Sequence, residues 1–191
     1  MKEIYIDISY GSHLNGYFFD YRGNKIEGWG MSQRRGNYKY DAPIGWIGIG
    51  LNVFDKYDNG DNLWIGNNNS KGEWAVAYHG IGRGGGDIKK ILVFILKSGF
   101  RAGKAQLHSE CEDKFHPGKL IGNGVYFSPS IKEAEMYAGI ANINEQRYKI
   151  VLMVRIKPSS IRQYNCKENK YWIVDGTSDD VRPYRILLKD N

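Results

Sequence analysis

The sequence predicts an α+β domain with antiparallel strand pairing. Candidate strands stand at both ends of the chain, with one clear helix and one short helix between them. They do not alternate as βαβ units would. The chain also carries 24 Gly, many beside Asn in its first half, which favours turns and short strands over long helices.

Residues 3–10 place Ile4, Ile6 and Ile8 on one side of a half-buried strand. Tyr17-Phe18-Phe19 is a second candidate strand. Residues 23–42 are polar and Gly-rich and read as turns or loop. Gly alternates with apolar residues from Gly45 to Leu51, which marks a bend or a close backbone approach. Tyr57-Asp58-Asn59-Gly60-Asp61-Asn62 is a strong turn signal, and 67–72 is another loop.

Trp74–Tyr78 reads as a buried strand running into His79-Gly80. Asp87 is a suitable N-cap for a helix over Ile88–Lys97, whose apolar positions Ile88, Ile91, Leu92, Ile95 and Leu96 have helical spacing. Ser98-Gly99 ends it. Residues 101–123 form a long polar loop, a length that is often functional. Val125-Tyr126-Phe127 is a short strand. Ser130 and Glu133 predict a capping box on a helix over Ile131–Ala138. Lys149–Ile156 has a continuous apolar middle and is expected at the centre of a sheet. Tyr171–Val174 and Arg185–Leu188 are expected to form a hairpin.

At 191 residues the chain can bury a core without staples. Aromatics make up 14% of it, including 14 Tyr and 5 Trp, which suits a core or cleft built from rings with polar tips. The net charge is +6 and the pI about 9.1, with no run of five or six basic residues. A solvated basic face explains this charge, with a local phosphate site left open. Cys111 and Cys166 are too few for a disulfide framework, and a reducing, intracellular setting is the simplest fit. Cys111 lies between His108 and His116, but no Cys-x-x-Cys supports a metal, and none is expected. The start Met1-Lys2-Glu3-Ile4-Tyr5 lacks the apolar run of a signal peptide. No stretch of about 18 apolar residues predicts a membrane span.

Gly82-x-Gly84-Gly85-Gly86 lacks the Gly-Lys-Ser/Thr ending of a phosphate loop. The stronger constellation is spread over 74–137. A strand ends in His79-Gly80. A helix ends in a Gly turn, and a loop follows. Then come Gly122-Asn123-Gly124-Val125-Tyr126-Phe127 and, eleven residues after Tyr126, Tyr137.

In that order and spacing the chain resembles the catalytic domain of the poly(ADP-ribose) polymerases, over roughly residues 72–189. The resemblance implies an ADP-ribosyltransferase-like split antiparallel β-sheet around an NAD cleft. It implies a core at 72–191, with 1–71 as an elaboration packed on it. It places His79 on the adenosine ribose, Gly80 backbone groups on the nicotinamide carboxamide, and Tyr126 and Tyr137 on the nicotinamide ring. Ala134 stands where the family has a nicotinamide-binding Ser. Tyr171 stands where it has a catalytic Glu, although a one-residue shift would put Lys170 there; Glu168 lies just upstream. The catalytic set is then His79, Tyr126 and Tyr171. NAD serves as substrate, and a protein is the expected acceptor.

Without the Glu, transfer of a single ADP-ribose is expected rather than chain synthesis. Two other classes compete. One is a non-catalytic nucleotide- or protein-binding module on the same fold, including a ubiquitin-pathway module with an exposed Cys111 as nucleophile. The other is nucleic-acid binding through Arg34, Arg35, Arg83, Arg101 and Lys104, for which no motif speaks.

Overall fold

The computed structural model describes residues 12–14, 17–19, 32–82, 84–103, 109–113, 116–143, 145–166, 169–175 and 178–191. The strand expected at 3–10 lies outside them. The class is α+β, with every strand pair antiparallel among the described residues.

The expected central strand is central. β9 (Gln146–Ile156) has β12 (Val181–Asp190) on one side and β6 (Ala75–Gly80) on the other. β8 (Ile140–Ile143) continues the β6 edge against the first half of β9, and β5 (Ile47–Gly50) adds to the far side of β12. The side chains of β9 alternate between two cores, as a strand's period of two requires. Ile150, Leu152, Val154 and Ile156 face a core that includes Ile88 and Ile95. Val151 and Met153 face a second core with Tyr40, Trp46, Val53, Trp64 and Ile65. Both faces are covered, so the run is continuously apolar.

α1 (Ile88–Ser98) forms as its spacing predicts. Asp87 accepts from the backbone N–H of Lys89 and Lys90, and Gly99 caps the end at φ 77°. Its apolar stripe packs on the first core.

A second, three-stranded sheet has the order β10 (Arg162–Cys166), β11 (Asn169–Val174), β7 (Val125–Phe127). The expected hairpin between 171–174 and 185–188 therefore does not form. β11 pairs with β7, through Ile173 opposite Tyr126, while β12 pairs with β9 and β5. The connection between β11 and β12 crosses from one sheet to the other. The reason is burial. Ile186 packs in the first core and Leu187 in the second, so β12 needs cover on both faces. It finds that cover beside β9.

Residues 23–42, expected as turns or loop, contain a hairpin of β3 (Ser32–Arg35) and β4 (Tyr38–Asp41). Gly36 and Asn37 turn it at φ 55° and 67°, the geometry of a two-residue hairpin loop. A Cβ on Gly36 would stand 2.7 Å from the backbone nitrogen of Ala75, so the turn lies hard against the start of β6. Tyr17–Phe19 is a strand (β2), paired with β1 (Ser12–Leu14).

Candidate functional site at the split between the sheets

Among the described residues, one rung joins the two sheets by backbone hydrogen bonds. The Tyr78 N–H donates to the Ser128 carbonyl at 2.8 Å, and the Ser128 N–H donates back to Tyr78 at 3.0 Å. Beyond it β6 and β7 separate, and a cavity of about 220 Å³ lies at the split. His79, Gly80, Tyr126, Ala134, Tyr137 and Tyr171 all line it. Positions 92 residues apart in the chain thus share one wall.

Strand parity explains how His79 is held. Within β7, residues 126 and 128 direct their backbone groups to the same side. Ser128 spends its pair on Tyr78, and the Tyr126 carbonyl meets His79 Nδ1 at 2.8 Å. A carbonyl only accepts, so Nδ1 carries the hydrogen and Nε2 presents a lone pair. Burial lowers the His79 pKa, and the bond to Tyr126 offsets this in part. The neutral ring is wedged edge-on against Phe100 at 5.1 Å and tilted against Phe127 at 5.4 Å. Its orientation and tautomer are both set before any ligand arrives.

Gly80 has a packing reason of its own. A Cβ there would stand 2.2 Å from the carbonyl oxygen of Ala134 and 2.7 Å from the Tyr137 carbonyl carbon. The glycine lets the segment after α2 (Ile131–Glu135) lie on β6. Ala134 is buried in this contact. Tyr137 follows, and its hydroxyl is 3.0 Å from that of Tyr171, the rings meeting edge to face at 6.2 Å. Tyr126 and Tyr137 pack on a small cluster of Ile121, Tyr171 and Ile173.

α2 differs from expectation. It ends at Glu135 rather than 138, and Ser130 makes no side-chain capping bond. Ser128 takes over: its Oγ accepts from the Ser130 N–H at 3.0 Å and donates to Glu133 Oε2 at 2.9 Å. Glu133 is thereby turned to the cavity wall instead of its helix terminus. Arg101 also lines the cavity, its guanidinium 5.0 Å over the Phe94 ring. Sequence reasoning missed both as site residues. Glu133 was absorbed into the capping box, and Arg101 into the surface charge.

Other candidates fare differently. Cys111, expected to be exposed, is half-buried against the Ile121 cluster. Arg34 is exposed, but Arg35 is buried and donates to the Arg34 carbonyl. His116 bonds Asp113 at 3.0 Å, and no metal-holding group stands among the described residues. Arg83, Lys104, His108 and Glu168 lie outside the described residues, as do the side chains of Lys170 and Cys166. No helix among the described residues is long and apolar enough to cross a membrane.

The chain matches no known protein-family model and no curated protein.

Proposed function

We propose that this protein is an NAD-dependent mono-ADP-ribosyltransferase on an ADP-ribosyltransferase-like split sheet, using an intracellular protein as acceptor. One observation carries the reading. The four residues of the motif, His79, Gly80, Tyr126 and Tyr137, and the two positions that the resemblance adds, Ala134 and Tyr171, line a single cavity, with His79 held as a neutral hydrogen-bond acceptor. Ribose hydroxyls need such an acceptor. The Nε2 lone pair would take a hydroxyl hydrogen of the adenosine ribose. The rings of Tyr126 and Tyr137 suit a planar nicotinamide. A cavity of about 220 Å³ suits the nicotinamide end of NAD, with the rest of the dinucleotide running out past the rim.

Holding NAD at both ends favours breakage of the ribose–nicotinamide bond through an oxocarbenium-like state, with an acceptor poised at the ribose carbon. Ala134 offers no hydroxyl to the carboxamide, which leaves the Gly80 backbone to hold it.

A second reading is a binding module on the same fold. It is favoured by Tyr171, whose hydroxyl is engaged with Tyr137 where the resembling family has a carboxylate.

Incubation with labelled NAD tests both. Label transfer and free nicotinamide, both lost in His79→Ala, support the transferase. A thermal shift with NAD but no nicotinamide supports the binding module. Unchanged transfer in His79→Ala overturns the site.

A further inference from the structure

We propose that Glu133 is the catalytic carboxylate of this cavity, taking the proton of the acceptor hydroxyl. The inference rests on the transferase reading above and supplies the carboxylate that the resemblance leads one to expect and that position 171 lacks. Position 171 holds a phenol that shares a hydrogen bond with Tyr137 and carries no charge to offer. Among the described residues that line the cavity, Glu133 is the one carboxylate.

Its placement is specific. A capping box would have spent this side chain on the start of α2. Instead Ser128 satisfies the Ser130 N–H and grips Glu133 Oε2. Ser128 is itself buried and fixed at the rung that joins the two sheets. The carboxylate is therefore tied to the rigid seam from which the His79 ring also projects. The hydrogen bond from the Ser128 hydroxyl to Oε2 orients the group.

The step balances as follows. The oxygen of a hydroxyl acceptor, water or a protein side chain, bonds to the ribose carbon. The bond from that carbon to nicotinamide breaks, and nicotinamide leaves as a neutral ring with the bonding pair. The acceptor's proton passes to Glu133 and from there to solvent. Until then the carboxylate also faces the positive charge that develops on the ribose.

A purely structural role, bracing the turn at 128–130, is the competing explanation, and Glu133→Gln separates the two. The amide oxygen still accepts from Ser128, but the charge and the proton site are gone. We expect Glu133→Gln to keep wild-type NAD affinity and melting temperature while nicotinamide release falls on the order of 100-fold or more. Glu133→Ala should fall as far and recover in part with added formate or azide, small anions that can stand in for the lost carboxylate.

Three results overturn the proposal. The first is wild-type turnover in Glu133→Gln while His79→Ala is dead; this sinks Glu133 alone and leaves the transferase standing. The second is loss of turnover matched by loss of NAD affinity and melting temperature in both variants, with no rescue by formate; this makes the residue a brace. The third is a wild-type protein that neither binds NAD nor releases nicotinamide; this removes the transferase reading and Glu133 with it.

Discussion

His79 Nδ1 lies 2.8 Å from the Tyr126 carbonyl oxygen, across the gap where β6 and β7 stop pairing. A side chain thus makes the bond that the next stretch of ladder would have made. This satisfies a carbonyl that sheet divergence would otherwise leave stranded at the seam. It also fixes the imidazole in the tautomer whose other nitrogen accepts. Architecture and site chemistry meet in that one contact.

Stability should fall on mild acidification because of this ring. Burial sets the folded-state pKa of His79 below its ordinary 6.5. Between the two values the unfolded chain binds a proton that the folded chain does not, so stability rises with pH there. It is fully present above about 6.5, is lost as pH drops toward the folded value, and levels off below it. Melting temperatures at pH 7.5 and 5.5 should differ more in the wild type than in His79→Gln. Equal differences would place the ring's titration elsewhere.

Gly80→Ala should destabilise the fold by about 1–3 kcal/mol, the usual cost of overpacking. Its new methyl must push back the backbone at Ala134 and Tyr137. Denaturant unfolding in the absence of any ligand reads this directly. A neutral result would show that the segment after α2 yields freely.

Tyr137→Phe and Tyr171→Phe each remove the bond between their hydroxyls. Each should cost about 1 kcal/mol, and the double variant less than the sum, with a coupling near 1 kcal/mol. Strict additivity would mean that the two phenols do not interact in solution.

Arg182 clamps the turn at 57–62 to the start of β12. It donates to both Asp58 oxygens at 2.7 and 2.8 Å and lies 4.1 Å over Trp74 and 4.4 Å over Tyr57. The hydrogen bonds from Arg182 hold the Asp58 carboxyl below its ordinary pKa of 3.8. Asp58 is nearly half exposed, so solvent screens the pair and Asp58→Asn should cost only about 1 kcal/mol at neutral pH. That contribution is present above pH 3.8 and disappears as pH falls through the folded value. Arg182→Lys should cost more, since an ammonium replaces neither the bidentate fork nor the stacking. Chemical denaturation of the two variants at pH 7 checks the order, and the reverse order would place the clamp's strength in the charge alone.

The sequence by itself determined the elements whose signals are local. Asp87, the stripe from Ile88 to Leu96 and Gly99 specify α1 through contacts within a few residues of each other. The apolar run of β9 states that both its faces are covered, which implies a central place. The motif order from His79 to Tyr137 marked His79, Gly80, Tyr126 and Tyr137, four of the residues that line the cavity.

Only the tertiary structure decided the partners. β11 and β12 each read as strands, but nothing in either says which edge it joins, because pairing is settled by distant burial. The β3–β4 hairpin was hidden by polar residues such as Gln33, Arg34 and Lys39. Glu133 shows the same limit at the scale of one side chain. Its local spacing spelled a helix cap, and the carboxylate went to Ser128 instead. The rung between Ser128 and Tyr78, fifty residues apart, had already put that hydroxyl within reach.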